Sequence, residues 1–207
     1  MAAITAVVLA GGASRRMGSD KRLLRLFPAS PMFLERTVVI GRSVADRVAV
    51  IGGCDSTGLG DQVVRIADDW PAEGPLGALM TALAAFPGDR LIVLASDYPM
   101  LQARLVARIV AGLDGYDAAV AIEAVSEQLH PLVGAYDAGR CVDDAGELFA
   151  RGERTMSALL AQLTVRLVGE EATGEPAFHQ ISLTNVNSPD DLDSLRRLSA
   201  EIDARHA

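Results

Sequence analysis

The segment from residue 9 to residue 22, LAGGASRRMGSDKR, carries the residue types best suited to bind phosphate. It contains Gly11, Gly12 and Arg16, and Lys21 is the one lysine of a chain that has 18 arginines. Glycines let backbone N–H groups approach an anion closely. Arginine makes a planar, forked contact with phosphate oxygens, whereas lysine is a compact charge that can follow a moving phosphoryl group. The spacing differs from both GxxxxGKS/T and GxGxxG, so these residues predict a phosphate-binding loop or, alternatively, a solvated surface loop.

Two aspartates follow segments that are predicted as strands. Asp97 comes directly after LIVLAS, and a carboxylate at a strand end can hold Mg²⁺, which binds few protein oxygens and otherwise uses water and phosphate. Asp68 ends a second such run, ahead of Gly74, Pro75 and Leu76, where a helix start would bring backbone close to a ribose or base. Both aspartates are also compatible with a simple role in capping a turn.

The motif NVNSP places Asn185 and Asn187 two residues apart, just before the last predicted helix. On an extended segment, side chains at i and i+2 point the same way, and each asparagine offers both a donor and an acceptor. The pair is suited to reading a pterin edge or a phosphate, or alternatively to an Asx turn that leads into the helix. His130 is interpreted as a structural histidine rather than a general base.

Alternating strand-like and helix-like segments would bring these residues to one edge of a sheet. Apolar runs predict strands at 4–10, 47–51, 63–67, 91–95 and 118–122, and helical spacing is found at 33–44, 76–86 and 102–113. Further along we expect a strand at 130–136, helices at 143–151 and 156–163, a strand at 164–168, a polar loop at 169–176, and a last helix capped by Ser188. This order predicts a three-layer α/β/α fold with a mostly parallel central sheet, in which ligands bind at the carboxyl ends of strands.

The composition predicts one soluble, cytoplasmic domain spanning residues 1–207. Half of the residues are hydrophobic and 4% are aromatic, which suits a core of aliphatic side chains. A net charge of −8 disfavours nucleic acid and anionic membranes as partners, and no apolar run reaches the ~20 residues that a membrane span needs. Cys54 and Cys141 have no metal-binding spacing, so we expect two reduced thiols.

LAGGASRRMGSDK resembles the signature of the nucleotidyltransferases that make molybdenum cofactor dinucleotides. In that family the loop is similar to a clamp around a nucleoside triphosphate, which implies that Arg16 and Lys21 reach the phosphates. Four residues would then lie beside the base: Leu9, Ala10, Gly11 and Gly12. The family uses LAGG, rather than LAAG, together with guanine, because glycine at position 11 leaves room for a purine.

Further motifs carry the same resemblance along nearly the whole chain. SDYP is similar to the family's CDxP, which implies that Asp97 is the magnesium ligand, and the spacing to GPL implies that Asp68 contacts the nucleotide or lies near the metal. The HP element at His130-Pro131, the GER element at Gly152-Glu153-Arg154 and the NVN motif also match the family. They imply the part of the site that binds molybdopterin. The resemblance thus implies a Rossmann-like nucleotidyltransferase fold in which residues 1–100 bind mainly the nucleotide and residues 101–207 mainly molybdopterin.

The reaction implied by the resemblance is transfer of GMP from GTP to the terminal phosphate of molybdopterin, with release of pyrophosphate. The attacking phosphate is already an anion, so the chemistry needs charge neutralisation by Lys21, Arg16 and Mg²⁺ on Asp97 rather than a general base. The product would pass to molybdenum insertion proteins or to molybdoenzyme chaperones. Three alternatives remain: a CTP-dependent cytidylyltransferase for the same pterin, a sugar-phosphate nucleotidylyltransferase, and a nucleotide-binding module without turnover.

Overall fold

Seven strands form the sheet around which the described part of the chain is organised. They are β1 (Ile4–Leu9), β2 (Arg47–Ile51), β3 (Val63–Ile66), β4 (Arg90–Ala95), β5 (Ala118–Ile122), β6 (Leu129–Asp137) and β7 (Val165–Val168). In this computed structural model, which describes residues 2–11, 23–53, 58–123, 125–172, 174 and 176–206, their order is β3-β2-β1-β4-β6-β5-β7. β6 is antiparallel to β4 and β5, and the other pairs are parallel. The predicted mostly parallel sheet is confirmed.

Helices cover both faces of the sheet. They are α1 (Phe33–Val44), α2 (Gly74–Ala85), α3 (Ala103–Gly112), α4 (Ala138–Ala150), α5 (Met156–Leu160), α6 (Pro176–Ser182) and α7 (Pro189–His206). Side chains of α1 and α3 pack with Ala6 and Val8 of β1, whereas those of α2, α4 and α5 pack with Val7 and Leu9. Successive residues of β1 therefore enter opposite apolar layers, as expected for the centre of a three-layer fold. Among the described helices, none combines the length and the apolar character needed to cross a membrane.

Two helices differ from the prediction. α4 begins at Ala138 instead of residue 143, because β6 leads directly into it and the Asp137 side chain caps it by accepting from the N–H of Arg140 at 3.2 Å. α6 begins at Pro176, the end of the predicted polar loop, since proline is well tolerated in the first turn of a helix. Burial of His179 and Ile181 anchors this short helix against the fold.

The thiol of Cys141 is a buried packing group. It donates to the carbonyl oxygen of Asp117 at 3.3 Å, and burial raises its pKa to about 12. Cys141 is therefore a free, protonated thiol, which agrees with the expectation of a reduced cysteine. Cys54 lies outside the described residues.

Candidate active site

The carboxyl ends of three parallel strands bring three predicted site residues to one edge of the sheet. The last residue of β1 is paired with the last residue of β4 on one side and with that of β2 on the other. The last residue of β2 is in turn paired with that of β3. Gly11, Asp97 and Asp68 each lie two residues beyond the end of β1, β4 and β3, respectively. The same edge is where parallel α/β sheets bind their ligands.

Gly52, the first residue after β2, supports the backbone of the loop that leaves β1. Its φ of +72° lies in the left-handed region, and a Cβ atom on it would come within 3.2 Å of the backbone nitrogen of Gly11. Its N–H donates to the carbonyl oxygen of Ile66 at 3.0 Å. Only glycine can adopt this left-handed conformation and lie this close to the backbone of Gly11 without strain. The sequence shows this residue only as one of two glycines that follow a strand, so its contact with Gly11 was not predicted.

Asp68 lies beside Gly11 and is held by its own turn. One carboxylate oxygen, Oδ1, accepts from the N–H of Trp70 at 3.0 Å and from the hydroxyl of Thr81 at 3.3 Å. The other oxygen, Oδ2, lies 3.7 Å from the position that a Cβ atom on Gly11 would occupy. This contact favours Asp68, rather than its neighbour Asp69, as the aspartate that faces the glycine loop.

Several predicted nucleotide-binding residues have buried side chains: Leu9, Ala10 and Leu76. These residues can meet a ligand only through their backbone. Gly74 opens α2 with a φ of +75° and is followed by Pro75. A Cβ atom on Gly74 would lie 3.1 Å from the carbonyl oxygen of Arg154, so the start of this helix is confined by the GER segment.

Arg154 of the GER segment joins the second half of the chain to the turn before α2. Its guanidinium donates through Nε to the carboxylate of Glu73 and through Nη1 to the carbonyl oxygen of Phe149 at 2.8 Å. The guanidinium carbon also lies 3.9 Å from the centre of the Phe149 ring. Trp70 packs edge-on against the same ring, with 4.9 Å between centroids. An ion pair, a cation–π contact and an aromatic contact thus meet next to Gly74.

The NVN motif contacts Asp97 directly. The N–H of Val186 donates to the carbonyl oxygen of Asp97 at 2.9 Å. Val186 is fully buried, whereas Asn185 and Asn187 are half-buried. This alternation is expected of an extended segment that presents both asparagines on one side. The structure therefore brings the two predicted asparagines and the predicted metal ligand together.

The start of α7 holds the motif from its other end. The N–H groups of Asn187 and Ser188 donate to the carboxylate of Asp191 at 2.8 and 2.9 Å, and the N–H of Asp191 donates to the hydroxyl of Ser188 at 3.2 Å. This reciprocal arrangement confirms the predicted cap at Ser188. The helix and the motif then pack on the start of α1 and the segment before it, through a cluster of five buried side chains: Leu26, Phe33, Val186, Leu192 and Leu195.

His130 is a buried histidine that bonds to the residue next to Asp97. Its Nδ1 lies 3.1 Å from the hydroxyl of Tyr98, and its Nε2 lies 3.6 Å from Oε1 of Glu123. Burial lowers the pKa of His130 and raises the pKa of Tyr98. With the imidazole proton on Nε2, the tyrosine hydroxyl would donate to Nδ1. This placement agrees with the interpretation of His130 as a structural histidine.

The carboxylates at this edge suit a divalent cation that shares its ligands with a substrate phosphate. Asp97 lies half-buried in the turn after β4, and Asp68 directs one oxygen toward Gly11. Within the described residues, no three His, Cys, Asp or Glu side chains are grouped closely enough to form a metal cage. An open arrangement of one or two carboxylates is the type that Mg²⁺ uses with phosphates and water. The residues present thus fit such an ion.

Three predicted residues, Gly12, Arg16 and Lys21, lie outside the described residues. The described residues on either side of this segment lie at the site. Gly11, before it, lies at the sheet edge beside Asp68, and Leu24, after it, packs against the cluster that contains Val186. The roles of Arg16 and Lys21 stay predictions.

The fold and the arrangement of this edge define a nucleotidyltransferase of the α/β class. The structure is similar to that of molybdopterin-guanine dinucleotide biosynthesis protein A from Archaeoglobus fulgidus, with a TM-score of 0.76 and 20% identity over 95% of this chain and 99% of that one. Residues 6–167 match the MobA-like NTP transferase domain. The chain belongs to this family.

Two other similar proteins bear on the reaction and on the metal. A probable molybdenum cofactor guanylyltransferase from Chloroflexus aggregans is 31% identical over 192 residues, which cover 91% of each chain. A solved structure of a Mycobacterium tuberculosis protein in complex with manganese has a TM-score of 0.65 and 20% identity, over 94% of this chain and 98% of that one. Nucleotidyltransferases of this kind generally use a divalent metal, and a cation at Asp97 would be consistent with that chemistry.

Proposed function

We propose that this protein transfers GMP from GTP to the terminal phosphate of molybdopterin, with Mg²⁺ as the cation and pyrophosphate as the second product. The observation that carries the proposal is the 2.9 Å hydrogen bond from the N–H of Val186 to the carbonyl oxygen of Asp97, because it joins the segment of the two asparagines to the turn that bears the predicted metal ligand. Membership of the MobA-like family and the guanylyltransferase relative support the same reaction.

The residues of the site would act by neutralising charge and aligning two polyanions. The terminal phosphate of the pterin is already ionised, so the attack on the α-phosphorus of GTP requires no proton to be removed. Lys21 and Arg16, on the loop that follows Gly11, would offset the negative charge on the reacting phosphate and on the departing pyrophosphate. Asp97 would hold Mg²⁺, which would supply positive charge to stabilise the departing pyrophosphate.

The two asparagines and the start of α2 would orient the substrates. Asn185 and Asn187 would hold the pterin phosphate or the pterin edge, while Asp68 and Gly74 would confine the nucleoside. Hand-over of the product to molybdenum insertion proteins or molybdoenzyme chaperones, in the cytoplasm, forms part of the same proposal.

Gly11 supports guanine rather than cytosine as the base. A Cβ atom there would meet Oδ2 of Asp68 at 3.7 Å, which is an ordinary van der Waals distance, and the backbone of Gly11 is not in the left-handed conformation. The protein could therefore accommodate alanine, and the fold does not demand glycine at this position. The missing side chain leaves space at the sheet edge, and a purine needs more of that space than a pyrimidine.

Pyrophosphate release tests the proposal. The purified protein is incubated with Mg²⁺ and either GTP or CTP, alone, with molybdopterin or with a sugar phosphate. Released pyrophosphate and bound nucleotide are both measured. We expect release only with GTP and molybdopterin together. Release with CTP and molybdopterin would identify a cytidylyltransferase, release with a sugar phosphate would identify a sugar nucleotidylyltransferase, and nucleotide binding without release would identify a binding module; each of these results would overturn the proposal.

A further inference from the structure

We propose that Tyr98 and His130 form a positioning pair that holds Asp97 in the geometry in which it shares a divalent cation with the nucleotide. The inference rests on the proposed function, because the cation at Asp97 is part of it. Neither residue would touch the substrates. Each would act on the reaction through the turn that follows β4.

The backbone of this turn is tied down at two points. The carbonyl oxygen of Asp97 accepts from Val186 at 2.9 Å, and the carbonyl oxygen of Tyr98 accepts from the N–H of Leu101 at 3.1 Å. The backbone of Tyr98 links these two carbonyl groups and begins at the peptide that Asp97 shares with it. The Tyr98 side chain is therefore a third attachment of the turn that carries Asp97.

That side chain is directed into the fold. Tyr98 is 7% exposed and belongs to the apolar cluster that β1, β4 and α3 share. Its hydroxyl reaches Nδ1 of His130 at 3.1 Å, and the two rings meet edge to face, with centroids 5.7 Å apart. His130 lies on β6, which is paired with β4 in the sheet. The hydrogen bond thus ties the turn after β4 back to the neighbouring strand.

Among the described residues, the ring of His130 makes its hydrogen bond to Tyr98 through Nδ1. Oε1 of Glu123 lies 3.6 Å from Nε2, which is beyond hydrogen-bonding distance. With its proton on Nε2, the imidazole would offer the lone pair of Nδ1 to the tyrosine hydroxyl. His130 thus holds Tyr98, the residue next to the predicted metal ligand, rather than the ligand itself.

If Tyr98 only packs in the apolar cluster, the effect of its substitution on metal binding differs from the effect expected if it positions Asp97. Phenylalanine at position 98 would keep the ring and its apolar contacts but lose the bond to His130. If the ring alone matters, this substitution leaves metal binding unchanged. If the bond directs Asp97, the substitution weakens metal binding although the protein remains folded.

The test measures Mn²⁺ binding in the presence of GTP, by electron paramagnetic resonance, with melting temperatures taken for every variant. We expect Tyr98→Phe and His130→Leu each to weaken Mn²⁺ binding about tenfold, and the double variant to be no weaker than either alone, since both remove the same bond. His130→Asn, which keeps an oxygen acceptor near the position of Nδ1, should restore most of the affinity. The matched control is Tyr136→Phe, which removes a buried hydroxyl that donates to the carbonyl oxygen of Pro131 at 2.7 Å, from a residue in the cluster on the other face of the sheet.

Mn²⁺ affinity that is unchanged in Tyr98→Phe would overturn the inference, as would an equal loss in Tyr136→Phe. Transfer of GMP by the parent protein is measured separately. A parent that binds Mn²⁺ and GTP but releases no pyrophosphate with molybdopterin would overturn the proposed function and leave the positioning pair supported if the variants weaken binding as stated. A parent that binds no Mn²⁺ would overturn both.

Discussion

The backbone N–H of Val186 and the carbonyl oxygen of Asp97 are hydrogen-bonded at 2.9 Å, although the two residues lie in opposite halves of the chain. Val186 is fully buried, so this bond forms in a place from which water is excluded. Breaking it would leave the buried N–H of Val186 without this partner. The NVN motif and the turn that carries Asp97 are therefore one structural unit, and the predicted halves 1–100 and 101–207 meet within it.

The carboxylate of Asp97 should be essential for transfer and unimportant for folding. We expect Asp97→Asn, which keeps the shape but removes the negative charge, to lower the rate on the order of 100-fold or more. Lys21→Ala should have an effect of the same order. The measurement is pyrophosphate release, with circular dichroism to check the fold. Asp114→Asn serves as a control, since Asp114 is an exposed aspartate paired with Arg90 at 2.7 Å. If Asp97→Asn releases pyrophosphate at the parental rate, the assignment of Asp97 as the metal ligand is wrong.

Gly52→Ala should disturb the glycine loop as well as the local backbone. Alanine in a left-handed conformation costs about 1–2 kcal/mol, and its Cβ would also press on Gly11 at 3.2 Å. We expect a lower melting temperature together with a loss of transfer. Gly115→Ala separates the two effects, because Gly115 has a similar φ of +84° but nothing within 4 Å of its Cβ position. If both variants lose the same activity, the contact with Gly11 has no role in the site.

Gly11→Ala should change the choice of nucleotide without unfolding the protein. The added methyl group has room next to Asp68 and would occupy space that we assign to the base. We expect kcat/KM for GTP to fall about tenfold or more, an effect within the range of one methyl-sized group in a pocket, while CTP is less affected. Steady-state kinetics with both nucleotides and a thermal melt measure this. If the ratio of kcat/KM for GTP to kcat/KM for CTP is unchanged in Gly11→Ala, the argument that Gly11 favours guanine is wrong.

The pair formed by Arg154 and Glu73 should matter for nucleotide binding more than for stability. Both side chains are partly exposed, so their ion pair contributes less than about 1 kcal/mol to folding. Arg154→Ala releases the start of α2, and we expect KM for GTP to rise with little change in melting temperature. The exchanged variant Glu73→Arg with Arg154→Glu should recover part of the loss. Arg151→Ala is the control, since Arg151 makes an exposed pair with Glu147 at 2.8 Å in the same region; an equal rise in its KM would count against this role.

Much of the site could be read from the sequence because its residues are close to strand ends. Asp97 and Asp68 each come two residues after a strand, and parallel strands end at the same edge, so their placement at one edge of the sheet needed only the strand order. The cap at Ser188 was predictable for a different reason: a serine followed by a proline and two acids is a local signal for the start of a helix. By contrast, α6 was not predicted, because its seven residues follow a polar loop and are too few to show a helical pattern, and burial of His179 and Ile181 holds the helix against the fold.

The sequence by itself determined the class of fold and predicted the phosphate-binding loop, the two aspartates and the pair of asparagines, because each depends on local pattern and on the geometry of parallel strands. Only the tertiary structure decided which distant groups meet: Val186 with Asp97, Arg154 with Glu73, and Tyr98 with His130. The physical reason is that such contacts depend on how loops from different strands fold back over the sheet edge. A single hydrogen bond or ion pair leaves no periodic trace along the chain.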